Sequence, residues 1–433
     1  MDVSQSAVAH AEVRNERDWL RPWEYALPAG ELGVSACQTL IVALLPLLIR
    51  KEAGSSFGVG FAVGGEGLFA LAVPWLAGRA VDRLPSKLAR RFGRHSFLLL
   101  ISTPVMIAAL CVLPALTSYW FTTAIAFAFF VAQHAYQTPL MTLVVDALPD
   151  ARRARVQGVR SIYRACGLSF GLVGGGLLFS IGHALPFVIG SGLLVLSTSA
   201  TVWAEHHAAS QQPSPQRPPR SSSLLRRLRE NRPALWLLIA NALWNGAIDG
   251  VRPYVFLFAM VVLNMSVPST SLGMIALVVT LAAASAVFGK LGDGGDRLRL
   301  LEIGSLMVVA ALTAGYFVRA PIPALVITVL AGAGAGALMT LPYALFAQHM
   351  GTQSTGEYSG FFVASVSAGR LAAPMFVGAA VDLGARVLPE QKGYPFMWPM
   401  AAALALAGSL ALLRARRGGP QPSSAGSLGT TPV

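Results

Sequence analysis

Twelve stretches of mostly apolar residues decide what this chain can become. A helix needs about 20 such residues to cross the hydrocarbon core of a bilayer. Runs of that kind lie at approximately 28–49, 57–77, 97–116, 119–144, 161–180, 184–203, 234–262, 270–288, 300–318, 322–347, 358–382 and 395–413. The close pairs 97–116/119–144 and 161–180/184–203 are each split by only a short turn. Composition agrees with this reading. Of the 433 residues, 54% are hydrophobic and 12% charged, about half the charged share of an ordinary soluble domain. A water-soluble chain of this size divides into modest cores and cannot hide so much apolar surface. The expected fold class is therefore an all-α membrane protein of twelve transmembrane helices in two six-helix halves. The first run is too long for the apolar core of a signal peptide and follows a polar, acidic stretch, so it reads as a span.

On a soluble protein the net charge of +13 would suggest a nucleic-acid partner. The placement of the charges argues otherwise. Twenty-five of the 33 Lys and Arg residues fall in alternate connections and at the two ends. They precede span one (Arg14, Arg17, Arg21) and follow span two (Arg79 to Arg94), span four (Arg152 to Arg160), span six (Arg217 to Arg232), span eight (Lys290, Arg297, Arg299) and span twelve (Arg414, Arg416, Arg417). The opposite side holds five, and Arg164, Arg252 and Arg370 fall inside spans. By the positive-inside rule both termini are cytoplasmic and the span count is even. The expected setting is the plasma (inner) membrane, multi-pass, with lipid as a partner and no nucleic acid. Cys37, Cys111 and Cys166 lie far apart in apolar runs, so no disulfide, zinc site or other metal is expected, and no cofactor.

The expected organisation is a cytoplasmic segment 1–27, a six-helix bundle 28–204, a linker 205–233, a second six-helix bundle 234–413 and a disordered tail 414–433. Most of residues 1–18 are likewise expected to be disordered. The first part of the linker is rich in Pro, Ser and Gln and reads as flexible. Its Ser223–Arg229 part reads as a short basic amphipathic helix on the membrane surface. His206 and His207 have no further ligands nearby and read as a solvated pair.

A faint repeat supports the two halves. Gly78-x-x-x-Asp82-Arg83 follows span two, and Gly289-x-x-x-Asp293, then Asp296-Arg297, follows span eight. Gly78-Arg79-Ala80-Val81-Asp82-Arg83 and then Gly93-Arg94-His95 resemble the signature loop of the major facilitator superfamily of secondary transporters. The departures are an insertion, Leu84 to Arg91, and His95 at the last basic position. The resemblance implies that Gly78, Asp82, Arg83, Gly93 and Arg94 form a conformational latch on the cytoplasmic side, with Asp82 near the N-terminus of span eleven. The alternative is a loop that only sets topology. Gly158, Gly167, Gly171, Gly175 and Gly176 resemble the glycine ladder in span five of the superfamily's drug/proton antiporters, with Leu172 in place of its Pro. The alternative is ordinary small-residue helix packing. Span four lacks the Arg of that subfamily and offers Gln133, His134, Tyr136 and Gln137 instead. Duplicated bundles around a midplane site are the usual transporter plan. The family implies a monomer that works alone.

Charges at bilayer depth cost several kcal/mol unless a cavity or partner receives them. Asn241, Asn245, Asp249 and Arg252 of span seven fall within one arc of roughly 80°. Asp249 and Arg252, three apart, are read as a pair, either structural or switching with protonation. Glu31, Ser35 and Gln38 share a face of span one, with Glu31 near the cytoplasmic end and within reach of solvent. Glu66, at mid-span, is a candidate proton carrier or a hydrogen-bonded acid joining helices. Glu66, Asp249 and Glu31 are the candidate proton-coupling residues. Gln38, Gln133, Tyr136, Gln137, Asn241, Asn245, Arg252 and Arg370 are the candidate substrate contacts. Arg370 stands too deep to snorkel, so a carboxylate or an anionic substrate group is its expected partner. Trp244, Tyr254, Phe256 and Phe258 are available to stack on a substrate or to pack on neighbours.

No enzyme is expected. His-Glu-x-x-His and Walker sequences do not occur, and Gly332-Ala-Gly-Ala-Gly336 lies inside span ten without the strand-turn-helix context of a nucleotide loop. The resemblance implies a secondary active transporter exchanging protons for a small organic or amphiphilic molecule, most simply an exporter. The alternatives are a proton-linked importer of a sugar or other nutrient, and a membrane sensor that transports nothing.

Overall fold

A computed structural model of the chain describes residues 20–85, 87–88, 92–148, 150–209, 231–350 and 355–418. The expectations for residues 1–18, for Ser223–Arg229 and for most of the tail fall outside the described residues. Among those described, every regular element is helical. The long helices are α1 Gly30–Ile49, α2 Ser56–Asp82, α3 Ser96–Val112, α4 Tyr119–Ala147, α5 Asp150–Ser169, α6 Leu185–Ala209, α7 Arg232–Val251, α8 Val267–Gly294, α9 Arg297–Gly315, α10 Pro321–Met350, α11 Thr355–Gly384 and α12 Met397–Gly418. Helix α5 runs on through a π turn, Phe170–Gly174, into Gly175–Ile181, and α7 through a 3₁₀ turn, Arg252–Tyr254, into Val255–Val261.

Among the described residues eleven helical segments are long and apolar enough to cross a membrane. Helix α4, of 29 residues, is as long as the others, but Gln133, His134, Tyr136 and Gln137 dilute its apolar run. Most helices outrun their apolar stretches, because beyond the hydrocarbon a charged side chain meets water while the backbone bonds continue. Helix α2 therefore carries Gly78 and Asp82 within it. Helix α5 starts at Asp150, so Arg152 to Arg160 are helical. Leu76, Ile101, Leu196, Val279 and Val326 remain exposed, as a lipid-facing surface requires.

Contacts gather the chain into two compact units, one of Met1–Pro218 with Arg252–Ile275, the other of Pro219–Val251 with Ala276–Val433. In the first, α1 packs against α5 and α6, α2 against α4, and α3 against α4 and α6. A Cβ at Gly167 would strike Leu32 and Ala36, at Gly171 Thr39, and at Gly175 Leu40. This glycine edge lets the backbone of α5 approach α1 closely, and Gly176 does the same against Ser271. Residues 252–275 join this unit through that contact and through the Tyr254 hydroxyl, which donates to the Ser56 carbonyl at 2.8 Å. At its Arg-rich end the short helix Pro22–Ala26 lays Trp23 and Leu27 on a cluster of Leu143, Val144, Leu148, Val156 and Ala204. Arg152 closes it with a 2.7 Å bond to the buried Glu24.

In the second unit α7 packs against α11 and α12, and α9 against α10 and α12. Gly369 of α11 abuts the Ala242 carbonyl and the Gly246 amide of α7. Pro46, Pro74, Pro104, Pro139, Pro342 and Pro374 lie inside helices, which membrane helices tolerate when neighbours satisfy the freed carbonyls.

Candidate functional site

The acids inside the membrane-spanning helices are the groups to follow. In the first unit, Glu31 sits on the first turn of α1, and packing by α5 and α6 leaves it 0% exposed. Proximity to the membrane edge had suggested a solvated acid. Instead Arg160 Nε donates to Glu31 Oε2 at 2.9 Å, and the Ser35 hydroxyl lies 3.5 Å from Oε1. Arg160, placed by its charge among the topology markers, is thus a buried partner. It was missed because α5 begins eleven residues before its apolar run. One helical turn beyond Ser35, Gln38 donates from Nε2 to the buried Glu66 of α2. The face of α1 that carries Glu31, Ser35 and Gln38 thus holds one acid of its own and binds a second, Glu66.

Residues of α4 line this interior unevenly. The Tyr136 hydroxyl bonds Thr198 of α6 at 2.8 Å, and it stands against Gly30 of α1. Gln133 is 0% exposed, and neither its Oε1 nor its Nε2 has a hydrogen-bond partner. An unpaired buried amide costs a few kcal/mol, so Gln133 is the side chain of this helix most in need of a ligand or water. Gln137 is half-buried.

In the second unit the polar stripe of α7 faces α11. Asn245 Nδ2 donates to the Asn241 carbonyl at 2.8 Å, and Asn241 Nδ2 donates to the Ser365 hydroxyl at 2.8 Å. Farther along, Arg370 Nε donates to Asp249 Oδ2 at 2.7 Å, with the side chains 21% and 14% exposed. The structure thus joins Arg370 and Asp249, which lie 121 residues apart in sequence. Arg252, read as the neighbour of Asp249, stands in the 3₁₀ turn. Trp244, Tyr254, Phe256 and Phe258 are all buried.

At the Arg-rich end, Arg83 caps α2 and is exposed. Gly93 takes a left-handed φ of +85°, and Arg94 Nε reaches the Val81 carbonyl at 3.4 Å. The side chain of Asp82 lies outside the described residues. Among the described residues a Cβ at Gly78 or Gly158 would meet nothing within 4 Å. Gly167-Leu-Ser-Phe-Gly171 has the spacing of a hydrolase nucleophile elbow, but Ser169 lies inside a continuous helical segment, where α5 passes into its π turn, and donates to the Ala165 carbonyl at 2.8 Å. The strand-turn-helix that would expose such a serine is absent there. Among the described residues no cluster of His, Cys, Asp and Glu fits a metal ion.

These pairs predict their own loss. Glu31→Ala is expected to strand Arg160 in the interior and lower stability by about 3–5 kcal/mol. Glu31→Gln, which keeps an acceptor, should lose less. Thermal unfolding of both variants in nanodiscs checks the order.

A family model described as Major Facilitator Superfamily matches residues 29–374. Among solved structures, a bacterial homolog to the human lysosomal transporter Spinster, inward-facing and occupied, superposes with TM-score 0.72 at 16% identity, covering 94% of this chain and 100% of that chain. Its unoccupied form gives 0.70 at 15%, with coverage of 94% and 100%. A mutant of the nucleoside transporter NupG gives 0.72 at 14%, covering 91% of this chain and 99% of that chain. No curated protein matches the sequence.

Proposed function

The chain belongs to the Major Facilitator Superfamily and is a membrane transporter rather than an enzyme, and from that premise we propose that it exports a small organic or amphiphilic molecule in exchange for protons, by alternating access. Glu66, Asp249 and Glu31 are the proton-carrying groups in this reading. The observation that carries it is their pairing: each acid lies inside a membrane helix and accepts a hydrogen bond from a side chain of another helix, Gln38, Arg370 or Arg160. Protonating Asp249 removes a counter-charge from Arg370, and weakening an ion pair at this depth carries a large cost. The two protonation states therefore favour different arrangements around the pair, which is the property a coupled transporter needs.

Exchange requires that substrate and proton compete. A substrate that offers a cation or a hydrogen-bond donor to the same carboxylates does so. Gln133, Gln137, Tyr136, Asn241 and Asn245 add neutral hydrogen-bonding groups. The side chains of an importer would work with the opposite sign: a proton on Asp249 would free Arg370 for an anionic group, so proton and substrate would bind together. The asymmetry of basic residues supports both termini in the cytoplasm, and in this reading the protein acts as a monomer in the plasma membrane.

A ligand-stabilisation screen on the purified protein separates the two signs. A ligand at 100 times its Kd stabilises by about 2.7 kcal/mol. The panel holds amphiphilic amines, sugars and nucleosides, the last because a nucleoside transporter shares the fold. Stabilisation by amines that weakens as the pH falls is the expected result. Stabilisation confined to sugars or nucleosides, or strengthened by acid, contradicts it.

A further inference from the structure

Outside the intramembrane acids, a buried cluster around His95 has no part in that reading. His95 stands at the foot of α3 and is 5% exposed. Its Nδ1 lies 3.1 Å from Glu205 Oε1, near the end of α6. Its Nε2 lies 3.1 Å from Asp146 Oδ2, near the end of α4. The carboxylates face opposite ring nitrogens, so they bracket the imidazole and do not converge on a common point as metal ligands would. Glu205 also accepts from the backbone N–H of His95 at 2.9 Å and of Ser96 at 2.7 Å, and from the Ser96 hydroxyl. Those N–H groups are open donors at the start of α3. Gly93, with its left-handed φ, lies against the same carboxylate, where a side chain would collide with it. The end of the loop joining α2 to α3 is thus fastened to α4 and α6 through one histidine and one glutamate.

The geometry also counts protons. A neutral imidazole has one N–H and one lone pair, and ionised carboxylates only accept. With a carboxylate at each nitrogen, a neutral ring satisfies one contact and sets acceptor against acceptor at the other. Imidazolium, a donor at both nitrogens, satisfies both. Among the described residues the charged groups hydrogen-bonded to the ring are Asp146 from α4 and Glu205 from α6, and Arg94 beside it reaches the Val81 carbonyl of α2. Burial pushes the ring toward the neutral form. The hydrogen bonds and charges of Asp146 and Glu205 outweigh burial and hold the pKa of His95 above the ordinary histidine value.

We propose that His95 is a proton-responsive clasp, which holds the α2–α3 loop against α4 and α6 while protonated and loosens it when the proton leaves. The loop it holds carries the family signature, and His95 occupies the position where that signature has a permanent cation. Histidine there replaces a fixed charge with one that the surrounding solution can remove. The sign follows from the raised pKa: the stabilisation is complete below the ordinary value of about 6.5 and is lost as the pH rises through the folded-state value. The clasp does not depend on what is transported. Under the orientation proposed above, the solution it samples is the cytoplasm.

The test uses the full chain in nanodiscs, with wild type, His95→Arg and His95→Gln compared between pH of about 6 and 9, the range around the histidine transition. The His95 ring resonance, assigned by its loss in His95→Gln, is expected to titrate above the ordinary value. The melting temperature of the wild type should fall by several degrees more than that of either variant as the pH rises, and proteolysis within residues 84–94 should quicken several-fold. His95→Gln should be uniformly less stable and insensitive to pH, a readout that stands even if His95→Arg does not fold. A ring that titrates at or below the ordinary value, or parallel pH profiles for wild type and His95→Gln, would overturn the proposal.

Discussion

Removing the Arg370 side chain is expected to lower the stability of the protein by about 3–5 kcal/mol, the range for breaking a buried ion pair from one side. The loss comes from the partner left behind. Arg370→Ala leaves Asp249, 14% exposed, without the guanidinium 2.7 Å from its Oδ2, in a medium where an uncompensated carboxylate is poorly solvated. Asp249→Ala should cost a similar amount for the mirror reason. The double variant Asp249→Ala/Arg370→Ala strands no charge from this pair, so its loss should be clearly smaller than the sum of the two single losses. A double-mutant cycle by reversible unfolding in detergent or nanodiscs measures this coupling. Additive losses would mean that the pair contributes no interaction of its own.

The second large effect is steric. Gly-to-Ala in a helix interior ordinarily gains up to about 1 kcal/mol from helix propensity. At Gly369 the sign should reverse, because a Cβ there would meet the Ala242 carbonyl and the Gly246 amide, backbone atoms that no rotamer change can move. Separating α7 from α11 also stretches the Asn241–Ser365 bond. Gly369→Ala should therefore destabilise by about 1–3 kcal/mol, and Gly369→Leu should prevent recovery of folded protein. Gly158→Ala and Gly78→Ala, where a Cβ meets nothing within 4 Å, are expected to be neutral or slightly stabilising. Melting temperatures that fail to separate Gly369→Ala from these two controls would contradict the packing described for α7 and α11.

The helical fold was legible because hydrophobic length is a property of local sequence, and a bilayer turns it directly into a span. Helix α4 shows where that signal thins: of the polar groups that lower its hydropathy, Tyr136 fastens it to α6 through Thr198, while Gln133 is buried without a partner. Pairings were less legible. The need of Arg370 for an acid could be argued from its depth, but choosing Asp249 requires knowing that α7 and α11 pack together. The signal for that was present in Gly246, Gly250 and Gly369, small residues that mark a close crossing. Arg160 was hidden for a different reason. Its charge suits a cytoplasmic loop, and only the early start of α5 carries it to Glu31. His95 was visible as a departure from a motif, yet its meaning rests on Asp146 and Glu205, at the ends of two other helices.

Flux under an imposed pH gradient reads proton exchange through the intramembrane acids themselves. Protein in liposomes, given the compound that best stabilises it, should move that compound against its gradient when protons run the other way. Glu66→Gln and Asp249→Asn should each abolish this uphill movement while leaving the variants folded. Uphill transport that persists undiminished in both variants, or that is unaffected when the pH gradient is collapsed, would contradict the account.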